Sequence, residues 1–288
     1  QDKPFRYSLI NQGFAFEDIS LENEIPADIS ILLIAELRSS ITDEQMKNLD
    51  EYVARGGNLL IAGEPNRQEY MNPLVKRFGV SFMPGCLVER NENFLPNFIK
   101  AHPTPEICEL AYVFEGLLEK NRCITMPGCT GLTYSKDKGF QVIPMLMSDT
   151  VGSWNELETM NFIDDSVCLN PVIGEVEKSY PTALALSRKI GDKEQKIVIL
   201  GDADCISNAE VSIYRKTVKA SNFALIAGVF YWLSDGEAPI DIRRPVPPDD
   251  AICLSQQAVN GARIAFIWGY PGVLLLIAIF IWLRRRGR

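Results

Sequence analysis

The chain has one histidine, His102, in 288 residues. A catalytic triad, a His-rich zinc site and a His-based proton relay would all have to pass through that single side chain, which sits in the sequence AHPTP and reads as a surface loop residue. Among the seven cysteines no pair has CxxC spacing, so neither a zinc ribbon nor a thioredoxin-like site is indicated, and no disulfide pairing follows from their scattered positions. No GxxxxGK[ST] loop is present to cradle a nucleotide phosphate, and no HExxH motif to hold a catalytic metal. No motif calls for a cofactor or a metal. Positive charge is scarce: the formal net charge is −8 and the isoelectric point 4.9. Nucleic acid is thereby excluded as a partner, since phosphate binding needs a basic face.

Charge of either sign is missing altogether between Ile264 and Leu283, IAFIWGYPGVLLLIAIFIWL. Roughly 20 apolar residues suffice for a helix to cross about 30 Å of hydrocarbon. Trp268 and Tyr270 stand near one end and Trp282 at the other, as amphipathic rings do at an interface. Arg284, Arg285 and Arg286 follow at once, and a basic flank of this kind stays in the cytoplasm. Residues 1–263 carry 25 Lys and Arg against 37 Asp and Glu, and the topology places them outside the cytoplasm. Pro271 within the span is accommodated by a kink or a start-of-helix position. The chain opens at Gln1 without a Met or an apolar signal region, so a longer precursor is expected, with residues 1–13 as a helix already inside a domain.

The N-terminal half holds a legible unit. Phe14–Leu21 alternates like a half-buried strand, and Ile29–Ala35 (ISILLIA) reads as a strand covered on both faces. Thr42 and Gln45 form a capping box, Met46, Leu49, Tyr52 and Val53 share a helical face, and Gly56–Gly57 ends the helix. Asn58–Gly63 (NLLIAG) is a second buried strand, so strand, helix and strand imply a parallel crossover. A further helix is expected over Gln68–Phe78. Residues 79–122 are hard to read, Cys123–Met126 and Gln141–Met147 suit strands, and 148–180 resembles surface excursions. Thr182–Leu186 and Lys196–Leu200 read as adjacent strands and Asn222–Leu233 as a mostly buried helix.

Two strand ends carry candidate chemistry. Gly63-Glu64-Pro65 follows NLLIA, and Gly201-Asp202-Ala203-Asp204-Cys205-Ile206-Ser207-Asn208 follows KIVIL. Ligands of open α/β sheets bind beyond the carboxyl ends of strands, where these residues emerge. Asp202, Asp204 and Asn208, with Glu64 beside them, offer oxygen ligands to a cation, a sugar hydroxyl or a basic partner. The competing reading is a turn in which Asp and Asn satisfy local amides, and the spacing matches no calcium loop. Cys129, in MPGCTG, would need a base to act as a nucleophile, and nothing in the sequence ties His102 to it. No catalytic residue is assigned, although a diverged thiol hydrolase built on Cys129 stands as a minor alternative.

The stretch ISILLIAELRSSITDEQMKNLDEYVARGGNLLIAGEP resembles the core of the gliding-motility-type ABC transporter auxiliary proteins. KIVILGDADCISN resembles their GDxDFxSN segment, with Cys205 at the aromatic position, and VFYWLSDGE, IDIRRPVPPDD and the arginine-flanked helix follow in the same order. The resemblance implies an α/β fold with a parallel sheet, flavodoxin-like or class I amidotransferase-like in three layers, without catalytic machinery. Residues 1–236 would form this extracytoplasmic (periplasmic) domain, 237–263 a Pro-rich linker, 264–283 an inner-membrane helix and 284–288 a cytoplasmic tail. The implied partners are an ABC-2-type permease and its separate ATPase. Family members carry a further N-terminal half and membrane segment, which fits the expectation of a longer precursor. A module binding envelope polysaccharide through Asp202, Asp204 and Asn208 is the alternative role.

Overall fold

The computed structural model describes residues 13–119, 122–213, 215, 217–239 and 256–287. The expected helix over 1–13 and most of the linker lie outside them. The chain divides into two units, Gln1–Asp241 and Ile242–Arg288.

In the first unit the elements run β1 (Ile31–Ala35), α1 (Asp43–Ala54), β2 (Asn58–Ala62), α2 (Gln68–Val75), β3 (Val80–Phe82), β4 (Cys86–Glu89), β5 (Ile99–Pro103), β6 (Arg122–Met126), β7 (Leu132–Tyr134), β8 (Gln141–Met147), β9 (Ser153–Glu156), β10 (Pro181–Ile190), β11 (Lys193–Leu200), α3 (Asn208–Ser212), β12 (Lys219–Ala220) and α4 (Asn222–Leu233). The anticipated crossover is present. Both halves of the capping box form at Thr42 and Gln45, and β1 pairs with β2 in parallel, Ile31 against Asn58 through Ala35 against Ala62. β11 then joins β2 in parallel.

Beyond β11 the expectation of a parallel, flavodoxin-like or amidotransferase-like sheet fails. The main sheet has eight strands in the order β1-β2-β11-β10-β8-β5-β6-β12. The pairings β11–β10, β10–β8, β8–β5 and β5–β6 are all antiparallel. Chain length explains the reversal. Ile190 pairs with Lys193, so only Gly191 and Asp192 connect β10 to β11. A two-residue loop closes an antiparallel hairpin, whereas a parallel return needs a crossover of a dozen residues or more. Gly191 has φ +61°, which a tight hairpin accepts most easily from glycine.

Alternate residues of β2 and β11 feed two cores. Leu59, Ile61, Ile197 and Ile199 pack with α1 and α2, while Leu60, Ala62, Val198 and Leu200 pack on the side that holds α4. β1 is a sheet edge rather than a strand covered on both faces, and Leu33 on it is exposed. Phe14–Leu21 forms no strand, although Phe14 packs on Phe230 with ring centroids 4.9 Å apart. The 148–180 region is more than a surface excursion. Its strand β9 pairs with β4, and Trp154 and Phe162 build a small core with Cys86 and Val88.

In the second unit, helix runs from α5 (Gln256–Ile264) through one wide turn at Ala265–Gly269 into α6 (Tyr270–Arg286). The stretch Gln257–Arg286, 30 residues, is long and apolar enough to cross a membrane. At 1.5 Å per residue it measures about 45 Å. The wide turn ends two residues before Pro271, whose ring crowds the carbonyl one turn back and which has no N–H to give it.

Candidate functional site: a carboxylate cluster at two strand ends

Because β2 and β11 are parallel neighbours in register at Ala62 and Leu200, the residues after them leave the sheet side by side. A hydrogen bond from Gly63 N to Leu200 O, 2.9 Å, continues the ladder one step further. Two glycines permit the close packing here. A Cβ on Gly63 would meet the Phe82 ring at 2.4 Å, and one on Gly201 would meet the Thr130 carbonyl oxygen at 2.1 Å. Gly201 is also held from both sides, donating to Thr182 O at 2.8 Å and accepting from Thr130 N at 2.9 Å.

Glu64 and Asp202 converge on the turn after Gly201. Glu64 Oε1 accepts from the backbone N–H groups of Ala203 (2.9 Å) and Asp204 (3.1 Å). Asp202 Oδ1 accepts from Asp204 N–H (2.7 Å) and Cys205 N–H (3.3 Å). One amide, that of Asp204, is thus shared by two carboxylates. Asp202 is fully buried, Glu64 half-buried and Asp204 exposed, and one oxygen from each lies within 4.8 Å of the others. Burial and the adjacent Glu64 carboxylate hold the Asp202 carboxyl well above the usual range, and burial raises Glu64 as well. Among the described residues no Lys or Arg forms an ion pair with any of the three.

Three buried thiols surround the pair. Cys205 Sγ donates to Asp202 O at 3.0 Å, Cys129 to Thr130 O at 3.4 Å and Cys86 to Cys129 O at 3.5 Å. Burial pushes the Cys86 thiol up to about 12, and drives Cys129 and Cys205 upward too, with Asp202 and Glu64 adding to the effect. A thiol enclosed in this way, among carboxylates, stays protonated and is a poor nucleophile. His102 lies on β5, opposite Met147, and is exposed; it occupies a strand rather than a loop.

Of the four residues singled out by sequence, Glu64, Asp202 and Asp204 come together, and Asn208 does not join them. Asn208 opens α3 behind the cap Ser207, whose hydroxyl accepts from Glu210 N, and its side chain makes no hydrogen bond to the three carboxylates. Sequence reading passed over Asn222. Its amide accepts from Thr125 N (3.0 Å) and donates to Thr125 O (2.8 Å) and Cys205 O (2.9 Å), tying α4 to β6 and to the carboxylate turn. Buried Glu210 accepts from Thr125 Oγ1 and from both terminal nitrogens of Arg215. The one signal was a polar residue opening an otherwise apolar helix. In the second unit, Trp268 falls in the wide turn and Tyr270 starts α6, while the Arg286 guanidinium lies 5.0 Å from the Trp282 ring centre, with Arg284 and Arg285 on the same last turn.

No curated protein matches the chain. A solved structure titled "mmIFT52 N-terminal domain" is similar with a TM-score of 0.48 and 17% identity, covering 75% of this chain and 83% of that one. Residues 1–227 match the model of the ABC transporter auxiliary family, described as an ABC-type uncharacterized transport system, at the level of that broad family rather than of its gliding-motility branch. The chain therefore belongs to the ABC transporter auxiliary family.

Proposed function

We propose that the chain is a non-catalytic, membrane-anchored accessory subunit of an ABC-2-type transporter. The family match over residues 1–227 carries this reading. The helix Gln257–Arg286 lies after the matched region and anchors the protein in the inner membrane. Arg284, Arg285 and Arg286 mark its cytoplasmic end, so residues 1–263 work on the periplasmic side. There they contact the permease, which a separate ATPase drives. The enclosed thiol of Cys129, kept protonated by burial and by the nearby carboxylates, supports a role without catalysis.

Affinity purification of the full chain from membranes in mild detergent tests the reading. The expected result is co-purification of an ABC permease with its ATPase. A chain that comes away alone, from cells whose transport is unaltered by its deletion, would refute the accessory role. A reporter fused after Arg288 should be cytoplasmic, and a periplasmic signal there would reverse the topology.

A further inference from the structure

Among the described residues two places bring three carboxylates together, Glu64/Asp202/Asp204 and Glu156/Glu158/Glu175. They differ in how their oxygens are used. In the second, Glu156 accepts through both oxygens, from Glu158 N and Thr159 N on one and Trp154 Nε1 on the other. Glu175 accepts from Leu157 N and Asn170 N, and Glu158 from Asn170 Nδ2. That cluster is a scaffold of backbone caps, complete in itself.

The first cluster is incomplete. Asp202 is fully buried, its Oδ2 meets no N–H or hydroxyl donor, and its carboxyl lies within hydrogen-bonding reach of that of Glu64, a pair that needs a proton or a cation between its members. The three local amides of Ala203, Asp204 and Cys205 are taken by Oδ1 and by Glu64 Oε1. Glu64 Oε2 accepts no backbone hydrogen bond from the described residues, and a Cβ built on Gly128 would stand 3.8 Å from it. Three oxygens, from Glu64, Asp202 and Asp204, therefore lie together, and among the described residues no basic side chain pairs with them.

We propose that Glu64, Asp202 and Asp204 bind one divalent, oxygen-preferring cation of the magnesium, calcium or manganese class. A proton shared between Glu64 and Asp202 would relieve that pair but gives Asp204 no part. A divalent ion engages all three, and water fills its remaining positions on the exposed Asp204 side. Hard cations suit this donor set, which contains carboxylate oxygen only. The neighbouring Cys205 and Cys129 sulfurs are turned to backbone carbonyls. The ion would bridge the ends of β2 and β11, so its effect is read first as stability. This site stands independently of the transporter role.

The test uses the full chain in detergent, stripped with chelator and then given Mg²⁺, Ca²⁺ or Mn²⁺ separately. The expected result is a saturable rise in melting temperature of several degrees with at least one ion, and one Mn²⁺ bound per chain by loss of its free electron-paramagnetic signal. Asp204→Asn, at an exposed position that need not disturb folding, should weaken binding at least tenfold, and Asp202→Asn should abolish it. Glu158→Gln, in the completed cluster, should leave it unchanged. No binding of any of the three ions would overturn the proposal. So would binding that survives Asp202→Asn and Asp204→Asn, or that is lost in Glu158→Gln.

Discussion

The edge formed by β1, β2 and β11 and the separate antiparallel pair of β4 and β9 are built by different rules. At the parallel edge the core is apolar on both faces over Leu59–Ala62 and Ile197–Leu200, with buried Asn58, Gln195 and Lys196 hydrogen-bonded at the other end of β2 and β11, and one helix with a complete capping box makes the crossover. In the pair of β4 and β9, short strands bury polar groups and tie them to other segments of the chain. Glu89 on β4 pairs with Lys100 at 2.7 Å and accepts from its backbone N–H at 3.1 Å. Asn155 on β9 donates to Pro84 O at 2.7 Å. Apolar burial tolerates small shifts, whereas a buried polar group loses its full desolvation cost when its partner moves. The parallel edge should therefore resist substitution better than the contacts joining it to the rest.

The sharpest way to break that comparison is Gly201→Ala. The new methyl meets the Thr130 carbonyl oxygen at 2.1 Å, backbone against backbone, so no rotamer change relieves it. A loss of about 3 kcal/mol or more is expected in urea unfolding of the full chain in detergent. A loss under about 0.5 kcal/mol would show that the two parts are not locked together at this point.

Asn222→Ala comes next. It leaves the Thr125 N–H, the Thr125 carbonyl and the Cys205 carbonyl without their partner in a buried place. The expected cost is about 2–4 kcal/mol by the same measurement. A near-neutral result would mean that α4 is held by its apolar face alone.

A smaller effect should appear with pH in the presence of chelator. Asp202 has its folded pKa raised by burial and by Glu64. The folded protein thus keeps a proton that the unfolded chain releases near pH 4. The resulting stability is complete below that range and is lost as pH rises through the folded value, with a slope of at most about 1.4 kcal/mol per pH unit. Asp202→Asn should flatten this dependence in a series of melts, and a slope unchanged in the variant would remove Asp202 as its source.

The smallest effect concerns the thiols. Cys168 is exposed, while Cys86, Cys129 and Cys205 are buried. A thiol reagent should label Cys168 in the native protein and reach the other three only on unfolding, and Cys168→Ser should change stability by less than about 0.5 kcal/mol. Rapid native labelling of Cys129 would reopen the hydrolase alternative.

Sequence reading was good where one physical signal dominated. ILLIA, NLLIA and KIVIL announce strands by uninterrupted apolar residues, and Thr42 with Gln45 announces a helix start. The sheet's overall direction was misread because the hairpin signal is two residues, Gly191 and Asp192, set in the mostly charged run Arg188-Lys189-Ile190 and Lys193-Glu194 rather than in apolar alternation. The strands β4 and β9 escaped because Glu89, Ser153, Asn155 and Glu156 are buried polar residues, which hydrophobic periodicity scores as surface. In the site, position relative to strand ends brought Glu64, Asp202 and Asp204 into view. Asn222 and Glu210 did not stand out, since Thr125, the partner they share, lies 85 to 97 residues away in the chain.

The wide turn at Ala265–Gly269 has a consequence for anything that packs on the apolar C-terminal helix. Its bond from Tyr270 N to Ala265 O spans five residues instead of four, and the additional residue rotates all that follows by about 100° about the axis. The face that Val259 and Arg263 share therefore does not continue into the stripe that Leu274, Ile277 and Ile281 would form by ordinary helical spacing. A single straight neighbour cannot follow both. Scanning substitutions along the helix should give two periodic patterns, offset at Gly269, as if two half-length segments each chose a contact of its own.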